Sequence, residues 1–271
     1  MGVSNSKVDS EGQIVDPPPV YYSRSLEVLD GLQNVRVQQQ MPRDLKECCH
    51  GNSYKVFDEN GNTILRILEK PDCNNCCSRW WCGPARGFRM VAYDNNRRPI
   101  MYMRRHPCRC DAWCCLDCVF CSHRITISDG DKNYLGFGKQ KCSCCAPNIS
   151  IVDSTDEPVG TIRGPCCPCR CLCDLTFNVF TPDGKGPSVV KDFAITDQPG
   201  SMTSLKSAES YVENFYYSGK IEKRWTKSTY PRINMDHENI MMRIPDDMDT
   251  VERALLLGSM FLVDFMYFEV S

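Results

Sequence analysis

Between about Tyr54 and Glu222 the apolar residues fall in short alternating runs, and each run breaks at a cluster of Asp, Asn and Gly. Tyr54-Lys55-Val56-Phe57, the turn Asp58-Glu59-Asn60-Gly61 and Thr63-Ile64-Leu65-Arg66-Ile67 read as strand, turn, strand. The unit recurs. Phe88 to Tyr93 leads through Asp94 to Pro99 into Ile100-Met101-Tyr102-Met103. Arg124 to Ile127 meets Asp129-Gly130-Asp131, Asn148 to Val152 meets Asp153 to Pro158, and Leu175 to Phe180 meets Pro182-Asp183-Gly184. Asn214-Phe215-Tyr216-Tyr217, Ser218-Gly219 and Lys220-Ile221-Glu222 read as a sixth hairpin. The turn aspartates 58, 94, 129, 153 and 183 lie 24 to 36 residues apart, so this is a degenerate hairpin repeat and not a tight solenoid period. About twelve strands in meander order leave two open edges unless the sheet closes. The expectation is therefore a mainly β domain with a closed antiparallel barrel.

Both ends of the chain depart from this pattern. Residues 1–25 carry Pro17-Pro18-Pro19 and no apolar period, and read as a tail ahead of one domain over 26–271. At the other end, the acidic stretch Pro245 to Thr250 suits a helix start. Ala254 to Phe268 is then apolar all round, so a helix over about 250–268 must be buried in protein or in lipid. Fifteen residues reach roughly 22 Å, short of a ~30 Å hydrocarbon core, and Asp264 would be costly there. A helix threaded through the barrel is favoured over one spanning a bilayer.

Composition changes the picture in one respect. Lys and Arg number 32 against 34 Asp and Glu, a near-neutral balance that argues against a nucleic-acid binder. The unusual number is 20 Cys, in clusters that fall mostly between hairpins: 48–49, 73–82, 108–121, 142–145 and 166–173. With no secretory signal at the start, the thiols are expected to be reduced and cytosolic. Cys73/Cys76 and Cys118/Cys121 have the spacing of a zinc knuckle, but runs such as 166–173 do not. Zinc is thus a lesser alternative to S-acylation. Acylation is favoured at Cys114, Cys115, Cys118 and Cys121, where Trp113 and Phe120 suit a membrane interface.

Two short motifs add to that reading. Met1-Gly2-Val3-Ser4-Asn5-Ser6 fits myristoylation of Gly2, a marginal anchor that a second acyl chain would make stable. Pro18-Pro19-Val20-Tyr21 is a polyproline-type ligand for WW-domain proteins. No catalytic constellation is evident: the four His stand in unrelated contexts, and there is no nucleophile elbow or phosphate loop.

The hairpin order, Trp81-Cys82-Gly83-Pro84-Ala85-Arg86-Gly87-Phe88, the Cys-rich connection 108–121, Gly219 to Thr226 and the ending Phe261 to Glu269 together resemble the phospholipid scramblases of the tubby-like superfamily. The resemblance runs from about Leu26 to Glu269 and implies a twelve-stranded barrel around a C-terminal hydrophobic helix. It also implies Ca²⁺-dependent, ATP-independent movement of phospholipids between leaflets by a palmitoylated protein at the cytoplasmic face of the plasma membrane, without a catalytic site. The unacylated form is expected in cytosol or nucleus; Lys220, Lys223, Arg224 and Lys227 resemble the family's nuclear-import stretch, but the interleaved Glu222 favours a solvated strand face for them. The family's calcium segment falls at Asp236 to Asp247. There Asp236, Glu238 and Asp247 offer hard oxygen ligands, but Met241 stands where an EF-hand needs Gly, so weak Ca²⁺ binding is expected. The second reading is a lipid-anchored interaction module that binds phosphoinositides or WW partners without scrambling by itself. Oligomeric state is open.

Overall fold

The computed structural model describes residues 7–8, 14–15, 24–40, 51–70, 86–106, 123–141, 146–166, 175–182, 216–224 and 239–268. Twelve strands form one closed antiparallel barrel: β3 (Asn34–Gln40), β4 (Ser53–Phe57), β5 (Thr63–Glu69), β6 (Phe88–Tyr93), β7 (Pro99–Arg105), β8 (Arg124–Asp129), β9 (Tyr134–Gln140), β10 (Asn148–Asp153), β11 (Pro158–Arg163), β12 (Leu175–Thr181), β13 (Tyr216–Arg224) and β14 (Asn239–Arg243). Each strand pairs with the next, and β14 closes on β3 from Asn239↔Gln38 to Arg243↔Asn34. In the segment read as a tail, β1 (Lys7–Val8) pairs with β2 (Ile14–Val15), and a 3-10 turn runs from Arg24 to Leu29.

The hairpins share one local device. Asp58, Asp94, Asp129 and Asp153 each accept the backbone N–H four residues on at 2.7–2.9 Å. The residue three positions on is left-handed in each: Gly61, Arg97, Lys132 and Asp156. That combination is a type I turn followed by a left-handed residue, which fixes hairpin register. Four of the five turn aspartates thus share one hydrogen-bonded turn, and Asp183 lies outside the described residues.

One expectation is corrected, and two strands come without a sequence signal. Ser218-Gly219 is not a turn, because β13 runs unbroken through it. The register slips there, Val179 facing Gly219 and Phe180 facing Tyr217, so one extra residue bulges. A Cβ on Gly219 would lie 2.5 Å from the Arg243 carbonyl oxygen, so the strand passes because the side chain is missing. Strands β3 and β14 had no recognised signal, since a Gln-rich run and a Met-rich run carry weak alternation; pairing with each other supplies what propensity does not.

Helix α1 (Thr250–Val263) runs inside the barrel and continues as a π-helical turn, Asp264–Phe268. Asp249 caps it: its carboxylate accepts the Glu252 N–H while the Glu252 carboxylate accepts the Asp249 N–H, both at 2.8 Å. Residues from Ala254 to Phe265 are all buried. Phe261 meets Tyr54 of β4 at 5.1 Å between centroids, Phe265 stacks on Phe88 of β6 at 4.1 Å, and Phe268 meets Phe177 of β12 at 5.4 Å. On another side, a Cβ on Gly138 of β9 would meet Ser259 Oγ at 2.5 Å, so glycine sets how closely sheet and helix approach. Strands on opposite sides of the barrel thus pack on one helix, which corresponds to the threaded arrangement. Among the described residues no helix is long and apolar enough to cross a membrane.

Ten large apolar side chains of this segment are buried, Leu255 to Leu257, Met260 to Val263, Phe265, Met266 and Phe268. At roughly 1.5–3 kcal/mol each they exceed the ~5–15 kcal/mol of net stability of a typical domain. Deleting residues 250–271 should therefore give insoluble protein without a cooperative melt by circular dichroism; a soluble, cooperatively melting fragment would mean that the barrel stands without its helix.

Candidate functional site

An antiparallel meander sends alternate connections to opposite ends. The tight turns at 58–62, 94–98, 129–133 and 153–157 gather at one end. The connections β3–β4, β5–β6, β7–β8, β9–β10, β11–β12 and β13–β14 all leave from the other. All 20 cysteines belong to the first five of these. The expectation of a shared rim follows from the topology, although the connections themselves, with Cys114, Cys115, Cys118 and Cys121, lie outside the described residues. Cys166, just past β11, is exposed.

Beneath this cysteine end the barrel is closed by buried polar groups. The Arg86 guanidinium pairs with the Glu69 carboxylate, its Nη2 donating to Oε2 at 3.2 Å, with both side chains about 2% exposed. Glu69 also accepts the Asn52 N–H at 2.9 Å, and Arg86 lies over the Phe265 ring at 4.6 Å. Arg86 belongs to the Gly-Pro-Ala-Arg element, and this contact gives that element a physical role: it ties the β5–β6 connection to the end of the helix. Tyr54 donates to Asp264 Oδ2 at 2.9 Å, answering the need of that carboxylate for a partner inside the barrel. Lys223 donates to the Phe268 carbonyl at 2.5 Å, so it is buried against the helix end and is not on a solvated strand face. Arg105 Nη2 lies 2.6 Å from His123 Nδ1. Sequence reasoning passed over Glu69, Tyr54 and Arg105; a charged or aromatic residue at an inward strand position was the available signal.

The calcium segment is divided. Asn239 to Arg243, inside the twelve-residue stretch, form β14 between β13 and β3, so the segment is not one loop. That strand spans roughly 13 Å, whereas two ligands of one Ca²⁺ lie within about 5 Å of each other. Asp247 is exposed at the hairpin end; Asp236 and Glu238 precede β14, in the connection at the cysteine end, outside the described residues. Thr181 donates to Asp247 at 3.4 Å. Burial holds the Glu252 carboxyl above its usual range, and the charges of Asp249, Asp247 and Asp153 add to this against the lowering Asp249 N–H bond. Among the described residues no group of three or more His, Cys, Asp or Glu could hold a metal ion. Gly2 and Pro18, Pro19 and Tyr21 also lie outside the described residues.

The sequence model of the scramblase family matches residues 15–270. The chain is 30% identical to phospholipid scramblase 2 of Bos taurus over 94% of its own length and 74% of that protein. It is 29% identical to phospholipid scramblase 1 of Mus musculus, covering 93% and 66%, and 28% identical to phospholipid scramblase 1 of Homo sapiens, covering 93% and 68%. No solved structure gives a significant match.

Two predictions follow from the polar groups. Arg86→Met leaves Glu69 buried without its cation and should cost about 3–5 kcal/mol in denaturant unfolding, with much of the loss recovered in Glu69→Met/Arg86→Met. If the double variant is as unstable as the single one, the cost is packing and not charge. At Glu252 the raised pKa makes its contribution to stability greatest in acid and lost as pH rises through the raised value. Glu252→Gln keeps the capping acceptor without the charge. It should gain stability relative to wild type as pH rises through the titration of the Glu252 carboxyl, and match wild type below it. A pH-independent difference would show that the charge is not resisted.

Proposed function

Because the chain belongs to the scramblase family, we propose that it moves phospholipids between the leaflets of a bilayer while seated on the membrane by its cysteine end. The observation that carries this reading is the family match across nearly the whole barrel, joined to a topology that sends every cysteine-bearing connection to one end. Acylation of Cys114, Cys115, Cys118 and Cys121 would anchor that end at the cytoplasmic face of the plasma membrane, with myristoylated Gly2 as a second chain. The helix fills the barrel, so lipid does not pass through the lumen. The activity is assigned to the way the seated barrel perturbs the bilayer, and it makes or breaks no covalent bond.

Calcium dependence and ATP independence belong to the same proposal. Since β14 separates the acidic residues, Asp236 with Glu238 and Asp247 by itself act as independent weak sites, with affinity near the ~10⁻⁴–10⁻³ M of weak modules. WW-domain partners at Pro18, Pro19 and Tyr21 favour the second reading, a lipid-anchored module. The two readings separate in liposomes containing labelled lipid and purified acylated protein. Calcium without ATP should equalise label between leaflets. Cys114→Ala/Cys115→Ala/Cys118→Ala/Cys121→Ala should abolish membrane retention and the transfer with it. Transfer no faster than in protein-free liposomes would leave the interaction module as the function.

A further inference from the structure

The exposed carboxylates of the barrel are segregated along its axis. Around the cysteine end, Lys70, Arg89, Arg104, Arg124, Lys141 and Arg163 are exposed, and no exposed carboxylate accompanies them among the described residues. The hairpin end carries exposed Asp30, Glu59, Asp131, Glu157, Asp247 and Asp249, interspersed with exposed Arg97, Arg98 and Lys132. The near-zero net charge of the chain hides this separation.

The cationic residues are also in register. The Lys70 N–H bonds the Arg89 carbonyl at 2.8 Å, Arg89 faces Arg104 across β6 and β7, and Arg124 faces Lys139 across β8 and β9. Arg104 faces Thr126, so Arg124 sits diagonally beside it on the same outer face. Lys141 bonds the Asn148 carbonyl at 2.7 Å, and Asn148 faces Arg163. The belt therefore crosses seven consecutive strands, β5 to β11, roughly 29 Å at about 4.8 Å per strand. On the remaining side Arg163 faces Asn178, and the outward positions one step nearer the cysteine end, Thr176 of β12, Glu222 of β13 and Met241 of β14, carry no cation, so the belt stops.

Like charges directly opposite on neighbouring strands destabilise a sheet. The belt holds two of the four such pairs among the described residues, Arg89/Arg104 and Arg124/Lys139, and no carboxylate bridges them there; the others are Lys55/Arg66 and Lys220/Arg243, the latter with Glu222 beside Lys220. Arg124 is partly accommodated over the Phe137 ring at 3.7 Å. Leu68, the same outward face of β5 two residues before Lys70, is 46% exposed, the largest fraction among the large hydrophobics described. A row of unneutralised cations with an exposed leucine beside it matches a surface that is negative at its headgroups and apolar just beneath.

We infer that the belt on β5 to β11 is a docking surface for anionic phospholipid headgroups, and that it sets the barrel on the membrane by that side of its cysteine end. The acidic hairpin end then points away from the bilayer. This rests on the membrane-seated reading above, but it is a property of the folded surface and needs no acyl chain. Each cation near an anionic bilayer surface contributes about fivefold in affinity.

The test uses unacylated full-length protein and sedimentation with vesicles of phosphatidylcholine alone or mixed with phosphatidylserine. Wild type should bind the mixed vesicles only, with affinity falling as salt rises. Arg89→Gln/Arg104→Gln should weaken binding roughly 25-fold while its melting temperature stays level or rises, because a repulsive pair has been removed. Arg97→Gln/Lys132→Gln, at the hairpin end, should bind within about twofold of wild type. Equal binding to neutral vesicles, wild-type binding by the Arg89/Arg104 variant, or an equal loss in the hairpin-end variant would overturn the inference. So would a single-stranded oligonucleotide that binds through Arg89 and Arg104 more tightly than the mixed vesicles do. Belt-dependent binding without lipid transfer would leave the docking surface standing and remove scrambling; transfer by a protein indifferent to the belt would do the reverse.

Discussion

The barrel depends on one packing constraint: twelve strands enclose more room than their own inward side chains fill, and α1 fills the rest. Tyr54, Phe88, Ile127, Gly138 and Phe177, from strands around the whole circumference, all meet the helix. Interiors are packed to the density of organic crystals, so the helix surface and the strand residues must match closely. Where they crowd, the sequence places Gly138 against Ser259. Closure of β14 on β3 and seating of the helix are therefore coupled, since the helix enters directly after β14.

The same helix explains the polar groups beneath the cysteine end. Its last turn widens into a π-helix, which holds Asp264, Phe265 and Phe268 against Tyr54, Arg86 and Lys223. Such widened turns are rare and cost hydrogen-bond geometry. Here the cost is offset by partners from three different strands or connections. The Glu69–Arg86 pair stabilises little by itself compared with an apolar replacement, but it admits one arrangement of the β5–β6 connection and penalises others.

Meander topology gives the two ends different chemistry. Tight turns need Asp, whose carboxylate bonds the returning chain, so the hairpin end is acidic for reasons of local structure. The opposite end has no such requirement. Its long connections were free to take up thiols, and its strand ends cations. A lipid-facing surface fits that end because the turn chemistry of the other already commits it to negative charge.

Much of this was legible in the sequence. Four hairpins and their turn aspartates were readable because a period of two and an Asx turn are local signals, and the apolar run 254–268 was too short for a bilayer and too apolar for a surface. What local signals do not contain is which strands meet. Pairing of β3 with β14, the bulge at Gly219 and the long excursion between β12 and β13 depend on closure of the sheet. For the same reason Asp236 to Asp247 looked like one acidic loop, until the neighbours of Ile240 and Met242 on both sides made its middle a strand. The cationic belt was invisible for a further reason. Its members are scattered between residues 70 and 163, and only the register of seven strands sets them side by side. Composition and local pattern thus determined the kind of fold and the residues available to it, while long-range pairing decided which charges and thiols share a surface.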